Sequence, residues 1–325
     1  MKKKVIIAGV AVCLVGVIAA VIMYMNRVPD FVYTKLEDGT YELSNYWGEE
    51  TEVEIPAEYR GKPVTRIGNS CFSNWTICVT KVIIPESVNT VGYGAFEGCK
   101  NLTIEGTENI RKVESYAFAQ CELLEEVSFQ DLEKVGKAAF CDMEGLGEVS
   151  LSDELTRIGE FAFWGTDIED INLGENISFI GDDAFMCTPW LKEQQGTVIV
   201  GDGILIQMEE KEQVVIPEGI KMISTSRDPS EIIKELYIPE SVTCIDNCML
   251  YGTEGITIYI PSSVEQIGGF TESGEDNISF EDMDKVTLVV EAGSYAEEYA
   301  KRKAEEKGLK YQVVEKIEYP TNEES

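Results

Sequence analysis

The sequence contains no histidine among its 325 residues, and this absence removes several classes of chemistry. Without an imidazole there is no Ser-His-Asp or Cys-His nucleophile pair, no histidine general base and no Cys/His zinc site. Basic residues are also few, because 27 Lys and Arg stand against 59 Asp and Glu, a net charge of −32. Phosphate binding needs a basic surface, so this balance argues against a nucleic-acid partner.

Cysteine motifs of the metal-binding or redox kind are missing as well. None of the nine cysteines lies in a C-x-x-C motif, and the closest two are Cys244 and Cys248. We expect mostly buried thiols and no metal site, with one or two disulfides as the alternative. The remaining composition, 44% hydrophobic and 26% charged, is typical of a folded globular chain.

An apolar segment follows three lysines at the N-terminus. Residues 5–25 contain no charged side chain. As a helix they would extend about 31 Å, enough for a hydrocarbon core of roughly 30 Å. The lysines at 2–4 favour a cytoplasmic N-terminus with the rest of the chain outside. The sequence therefore predicts a single-pass signal anchor in the cell membrane, and a cleaved signal peptide followed by secretion is the alternative.

A unit of about 22 residues recurs from residue 53 to residue 270. Each unit begins with two apolar residues that flank a third residue, which we call the apolar pair, and Val82 and Ile84 are one example. A further apolar residue, which we call the stop, is followed in most units by glycine and then by Ala-Phe, as in Val91-Gly92 with Ala95-Phe96. So short a unit cannot bury its own apolar side chains, so the units must stack on one another. The apolar pairs are Val53/Ile55, Val82/Ile84, Val127/Phe129, Val149/Leu151, Ile171/Leu173, Val214/Ile216, Leu236/Ile238 and Ile258/Ile260, with a less regular copy at Ile104.

Alternation at period two predicts that each apolar pair is a strand with one buried face. We expect about nine such strands in one sheet on the order of 43 Å long. The glycine after the stop is expected at a tight bend, and the phenylalanines should form an aromatic spine. An irregular insertion is expected at about residues 193–211, with a hairpin at 197–208. The spine residues are Phe96, Phe118, Phe140, Phe163 and Phe185.

The segments IPESVNTVGYGAFEGCKNL (residues 84–102) and IPESVTCID (residues 238–246) resemble the BspA-like leucine-rich repeat family. Its unit reads roughly Ile-Pro-x-x-Val-x-x-Ile-Gly-x-x-Ala-Phe-x-x-Cys-x-x-Leu, and Cys99 and Cys121 fall in its small or cysteine column. The resemblance implies a β-rich leucine-rich repeat solenoid in a bacterial cell-surface or secreted protein that binds other macromolecules. It implies no catalytic residue.

Both ends of the array carry the features of caps. Asp38-Gly39 between two apolar segments predicts an N-terminal hairpin. Ser294 followed by Glu297 predicts the start of a helix within a C-terminal strand-helix-strand cap. The predicted order is cytoplasmic lysines at 1–4, a transmembrane segment at 5–25, a linker and N-terminal cap at 26–52, the solenoid at 53–270, the C-terminal cap at 271–314 and a flexible tail at 315–325.

If the apolar pairs point inward, the residues between and beside them face outward and form a stripe along the sheet. Its acidic middle favours a basic protein or peptide as the partner, and its two tyrosines are of a type enriched in binding hot spots. The alternatives are a solubilising acidic face and tyrosines that only favour β structure. The candidate ligand-facing residues are Glu126, Ser128, Glu148, Ser150, Asp170, Asn172, Tyr237 and Tyr259.

Other chemistry has little support in the sequence. Carboxylate pairs are the residue type that glycoside hydrolysis uses, but a repeat solenoid gives this reaction little support. Residues 276–284 hold several oxygen ligands without the EF-hand spacing. We therefore expect a membrane-anchored module for protein binding or adhesion, with no enzyme activity and no cofactor. A structural envelope component without a dedicated ligand is the alternative.

Overall fold

Most turns of the chain contribute two short strands, one from the apolar pair and one from the stop. The computed structural model describes residues 30–73, 79–225, 232–245, 255–268 and 285–320. Over this part the chain is a β-solenoid of about 11 turns of ~22 residues, followed by a C-terminal helix and strands. The predicted repeat solenoid is confirmed.

The strands of the apolar pairs run parallel and in register from turn to turn, and we call them the pair ladder. They belong to three sheets rather than the single sheet expected, and the pair at Ile171 forms only an isolated bridge between Glu148 and Asp170. The first sheet contains Glu52–Glu54, Lys81–Ile83 and Thr103–Glu105, and the second contains Glu126–Ser128 and Glu148–Ser150. The third contains Gln213–Val215, Glu235–Tyr237, Thr257–Ile260, Thr287–Glu291 and Lys310–Val314.

The first interruption lies at the irregular copy that begins at Ile104. In regular copies a backbone N–H donates a hydrogen bond to the next turn. For example, the N–H of Phe129 donates to the carbonyl oxygen of Ser150 at 2.9 Å. After Ile104 the side chain of Thr107 takes this role, because its Oγ1 donates to the carbonyl oxygen of Ser128 at 2.6 Å. A hydroxyl thus satisfies the acceptor that a ladder N–H would otherwise satisfy.

The stops form short strands that pair in parallel from turn to turn, and we call this second ladder the stop ladder. The sequence predicted only a tight bend after each stop, so that expectation is incomplete. Its strands are Lys62–Ile67, Thr90–Val91, Lys112–Val113, Lys134–Val135, Arg157–Ile158 and Phe179–Ile180. Beyond a hairpin it continues with Ile204–Gln207, Met222–Ile223, Cys244–Ile245 and Gln266–Ile267. The solenoid core lies between the two ladders.

Glycine follows the stop because neighbouring turns approach closely there. Gly159 has no positive φ. A Cβ on Gly159 would lie 2.5 Å from the carbonyl carbon of Gly136 in the preceding turn, closer than real Cβ contacts allow. The glycine is required by packing between turns rather than by backbone conformation.

The phenylalanines of successive turns form the predicted aromatic spine. Adjacent rings lie 5.1 to 5.5 Å apart between centroids and within 3 to 7° of parallel. The spine begins one turn earlier than expected, at Phe72, and runs to Phe185. There Trp190, on the short helix Pro189–Glu193, meets Phe185 edge-on at 5.1 Å and ends the column.

The irregular segment contains the predicted hairpin, formed by Val198–Val200 and the antiparallel strand Ile204–Gln207. The second strand also pairs in parallel with Met222–Ile223, so it takes a regular place in the stop ladder. The hairpin divides the core. Ile204 belongs to the cluster of the phenylalanine spine, whereas its neighbour Leu205 belongs to the cluster of the C-terminal turns.

The N-terminal cap is a hairpin of Phe31–Lys35 and Tyr41–Tyr46. Its second strand runs parallel to Lys62–Ile67, so the hairpin extends the stop ladder and covers its first turn. A further short strand, Glu58–Tyr59, pairs antiparallel with Lys62–Ile67. The cap therefore supplies hydrogen bonds to an edge that would otherwise be open.

The C-terminal cap consists of Thr287–Glu291, the helix Tyr295–Lys307 and Lys310–Val314. The Ser294 hydroxyl accepts a hydrogen bond from the Glu297 N–H at 3.1 Å, as predicted for the start of the helix. The Glu297 carboxylate also accepts from the Gly293 N–H at 2.6 Å and pairs with Lys301 at 2.5 Å.

Two positions in most turns of the first half have a left-handed backbone, namely the residue before Ala-Phe and the second residue after it. At the second position, Gly98 and Gly165 have φ of 74° and 69°, which glycine adopts without strain. Gln120, Asp142 and Cys187 occupy the same position with φ of 61°, 56° and 68°. Each of these three residues carries a strain of roughly 1–2 kcal/mol.

We expect Gln120→Gly to stabilise the solenoid by about 0.5–1 kcal/mol, because it relieves left-handed strain at an exposed site. Gly98→Ala should lower the free energy of unfolding by about 1 kcal/mol, because alanine would be strained at the same left-handed position. Urea unfolding measures both changes. Gln130→Gly is the control, since Gln130 is also exposed but has no positive φ, and it should not stabilise the chain. Equal changes in the free energy of unfolding for Gln120→Gly and Gln130→Gly would contradict the backbone strain assigned to Gln120.

Glu114 occupies the position that glycine holds after other stops. Its carboxylate accepts hydrogen bonds from the Arg66 guanidinium at 2.9 and 2.6 Å and from Lys112 Nζ at 2.9 Å. Arg66 also donates to Glu42 at 2.8 Å, which ties the N-terminal hairpin to a later turn. Burial alone would raise the pKa of Glu114, but the hydrogen bonds from Arg66 and Lys112 outweigh it and lower the pKa to about 2.

We expect Glu114→Gln to lower the free energy of unfolding by about 2 kcal/mol at pH 7, because the variant loses charged hydrogen bonds to Arg66. The pKa of Glu114 is depressed in the folded chain, so its contribution is complete above about pH 4.5 and is lost as the pH falls toward 2. The difference between variant and wild type should therefore narrow between pH 7 and pH 3 in urea titrations. Glu122→Gln, which breaks an exposed pair with Lys100, should cost less than about 1 kcal/mol at pH 7. If the difference in unfolding free energy between Glu114→Gln and wild type did not depend on pH, this would contradict the lowered pKa of Glu114.

Candidate binding surface

Three carboxylates line up on the outer face of the pair ladder, and we call them the acidic column. Glu126 lies directly beside Glu148, and Glu148 beside Asp170, on three consecutive turns. All three side chains are exposed. Parallel strands are about 4.8 Å apart, so the column presents one negative charge at each such step. No ion pair joins these three residues to another residue of the described part.

Small polar side chains lie beside the acidic column, two residues further along each strand. Ser128 is in register with Ser150. Asn172 is exposed on the next turn, where the ladder is reduced to a bridge. The structure thus brings six of the eight predicted ligand-facing residues together on one face. Their carboxylates accept hydrogen bonds, while the hydroxyl and amide groups both donate and accept them.

Tyr237 is not exposed as expected. It retains only 7% of its accessible surface, and its ring stacks on Tyr259 with 4.0 Å between centroids. Tyr319 from the C-terminal segment packs against Tyr237, with 6.3 Å between the ring centroids, and Tyr259 is half-buried. Burial raises the pKa of Tyr237 above its ordinary value, and the neighbouring Tyr259 and Glu235 raise it further. The expectation of an accessible aromatic pair is therefore wrong at Tyr237.

The covering segment follows the last strand and was expected to be a flexible tail from residue 315. Up to residue 320 this expectation is wrong, and residues 321–325 lie outside the described part. Ile317 is buried, and its N–H donates to Glu291 at 3.0 Å. The Tyr319 hydroxyl donates to the Ile238 carbonyl at 2.8 Å, and Lys316 pairs with Glu240. The segment therefore packs against the turns that contain Tyr237 and Glu291.

A second column lies on the outer face of the stop ladder, and sequence reasoning missed it. Lys112, Lys134 and Arg157 are directly in register on three consecutive turns, and we call them the basic column. Each precedes a stop, so an alignment of the residue before every stop would have shown it. The overall composition does not show the basic column, because acidic residues outnumber basic ones more than twofold in the chain as a whole.

The basic column borders a shallow depression of about 50 Å³. Gly136 and Gly159 form part of its floor, and the rim includes Lys137, Glu160 and Phe179. Lys137 pairs with Glu160 at 2.6 Å. The Arg157 guanidinium lies over the Phe179 ring at 3.6 Å from its centroid.

The six cysteines of the described part form no disulfide. Cys99 and Cys121 are buried, as the family column implies, and Cys71 is buried as well, whereas Cys187 is exposed. Burial raises the pKa of the Cys121 thiol well above its ordinary value. Within the same ranges, no group of three or more metal-ligating side chains occurs. The oxygen-rich segment at 276–284 lies outside the described residues, as do Cys13, Cys78 and Cys248.

No helix within residues 30–320, apart from the gaps named above, is both long and apolar enough to span a bilayer. The apolar segment at 5–25, for which a signal anchor is predicted, lies outside the described residues.

Comparison with known structures finds repeat proteins from bacteria. A leucine-rich cell-surface protein from Faecalibacterium prausnitzii is 22% identical, covering 79% of this chain and 97% of its own, with a TM-score of 0.44. The pneumococcal vaccine antigen PcpA is 16% identical, covering 90% and 98%, also with a TM-score of 0.44. A leucine-rich repeat protein from T. pallidum is 18% identical, covering 88% and 98%, with a TM-score of 0.37. The comparison with curated proteins found no match.

The family comparison agrees with the repeats seen in the structure. A model described as "BspA type Leucine rich repeat region" matches in six copies, over residues 65–192 and 198–286. These ranges contain most turns of both ladders and the whole phenylalanine spine from Phe72 to Phe185. Proteins of this kind are displayed at the cell surface or secreted, they are typically not enzymes, and their repeats suggest a protein-binding or structural module. The chain belongs to the BspA-type leucine-rich repeat family.

Proposed function

We propose that this chain is a protein-binding module exported from the cytoplasm and that the acidic column is its ligand-facing surface. One observation carries the proposal. Glu126, Glu148 and Asp170 are exposed, in register and unpaired within the described part. Other outward carboxylates of the solenoid, such as Glu105 and Glu122, already pair with lysines.

Unpaired charges on a regular face favour a partner of the opposite sign. The three carboxylates lie within about 10 Å of one another on stacked strands, and their fields add at distances of about a Debye length. Such a face attracts a basic protein or peptide and raises its association rate more than its final affinity. Ser128 and Ser150 beside the column are short, so a partner can approach the carboxylates without displacing large side chains.

A structural envelope component remains the second candidate. The observation that favours it is the burial of Tyr237 against Tyr259 and Tyr319, which removes the expected exposed aromatic pair as a binding hot spot. A repeat array with closed ends can also serve as a spacer.

We propose that residues 5–25 direct export and then remain as a single-pass anchor, which places the repeats outside the membrane. The uncharged length of this segment and the lysines before it support the proposal. Cleavage and secretion is the alternative, and it leaves the proposed binding surface unchanged.

We expect the double substitution Glu148→Gln with Asp170→Asn to reduce capture of basic proteins from extracellular extracts by about tenfold, because two of the three aligned charges are removed. The full chain is held in detergent on beads, and the captured proteins are quantified by mass spectrometry. Thermal unfolding should not change, because both side chains are exposed. The matched control is Glu154→Gln with Glu175→Gln, which removes the same charge at exposed sites outside the column. Equal capture by wild type and column variant would contradict the proposal.

Protease treatment of intact cells tests the proposed export. We expect the repeats to be digested, because an exported solenoid is accessible from outside. The mass of the chain from untreated cells should include residues 1–30 if the segment at 5–25 is retained as the anchor. A mass without these residues would overturn the anchor in favour of cleavage. Protection of the repeats in intact cells, with digestion after lysis, would favour the structural envelope component.

A further inference from the structure

The basic column is a local reversal of charge on an acidic protein. Lys112, Lys134 and Arg157 project from consecutive turns of the stop ladder, whereas the chain carries a net charge of −32. Lys112 pairs with Glu114, and Arg157 lies over Phe179. Lys134, in the middle, is exposed and forms no ion pair with another residue of the described part. Lys112 is exposed and Arg157 is half-buried. A basic row with an exposed middle residue fits a partner with an anionic row.

A shallow depression lies beside the basic column. Gly136 and Gly159 follow the stops and carry no side chain, and they form the floor of the depression. Beside the acidic column, the corresponding small residues are Ser128 and Ser150. Both columns therefore have small residues beside part of the charged row.

The distance between successive cations of the basic column shows which kind of anionic partner fits it. The cations repeat once per turn, at the parallel-strand spacing of about 4.8 Å. An extended acidic peptide along the solenoid axis would present side chains on one face only every 6.4 to 6.8 Å, which is about twice the rise per residue, so it would lose register with the row. The acidic column has the same origin as the basic column, one residue per turn of a parallel ladder, and hence the same spacing.

We propose that the basic column binds the acidic column of a second copy of this chain. This inference rests on the proposed function, because it names the basic partner of the same acidic surface. The two columns lie on different ladders of one solenoid, so a single chain cannot pair them within itself. A contact between unlike faces leaves one free column of each sign on the pair of molecules and can therefore continue to further copies.

The central pair is the same in either docking direction. Whether the two solenoids align parallel or antiparallel, Lys134 meets Glu148, because each is the middle residue of its row. The like net charges of two copies repel at long range, but at about 0.15 M salt charges more than about 8 Å apart are largely screened, while charges in contact are screened less. Association should therefore be strongest at intermediate ionic strength, weaker in very low salt and weaker again in high salt.

The experiment uses equal amounts of isotopically light and heavy full chain, mixed in detergent and treated with a carbodiimide that joins lysine to carboxylate in contact. We expect a light–heavy crosslinked peptide pair that links Lys134 to Glu148. Lys134→Glu alone and Glu148→Lys alone should each lower the yield of covalent dimer at least about tenfold, because they place like charges opposite each other. The chain carrying both substitutions should recover dimer yield, and a mixture of the two single variants should form dimers by their intact columns.

Matched controls carry the same changes of charge outside the columns. Lys192→Glu and Glu175→Lys, both at exposed sites, should leave the dimer yield unchanged. Absence of the light–heavy peptide, or failure of the double variant to recover, would overturn the second copy as the partner. If Glu148→Lys then still lost capture of other basic proteins, the proposed function would stand without this inference. Binding of polyglutamate that depends on Lys134, without the light–heavy peptide, would also overturn it, in favour of a foreign polyanion on the basic column.

Discussion

The structure depends on one constraint, the stacking of each turn on its neighbours. A turn of ~22 residues is too short to bury its own apolar side chains, so every turn supplies a surface that the next must match. The phenylalanine spine shows how strict the match is, because its rings repeat at 5.1 to 5.5 Å and nearly parallel. Glycine after the stop follows from the same constraint, since a Cβ at Gly159 would collide with the preceding turn.

The register that builds the core also orders the surface. Residues at equal positions of successive turns line up whatever their chemistry, so a bias at one position becomes a row of like charges. The acidic and the basic column both lie in the same part of the chain, before the hairpin Val198–Gln207 that divides the core. In the C-terminal turns the corresponding outward positions are mixed, with Gln213, Glu235 and Thr257 in register.

The C-terminal end shows how a repeat array is closed. Glu291 is almost fully buried, yet it accepts hydrogen bonds from the N–H groups of Ser262 and Ile317, each at 3.0 Å, and lies 3.3 Å from Lys316. Burial alone would raise the pKa of Glu291, but these contacts outweigh it and lower the pKa. The carboxylate thus anchors the segment that covers Tyr237, which is why a tyrosine on an outward strand position is not accessible.

The sequence by itself determined the repeat length, the phenylalanine spine, both caps and the acidic column, because these follow from side-chain periodicity and from local turn and helix-start signals along the chain. Only the tertiary structure decided the remaining features. The stop ladder needed it, since a two-residue strand such as Lys134–Val135 has no periodicity of its own and forms only against its neighbours. The basic column also needed the tertiary structure, because its residues line up only when these short strands pair. The burial of Tyr237 depends on Tyr319, which lies 82 positions away in the sequence. Contacts between distant residues arise from coiling and closure of the chain, which local patterns do not encode.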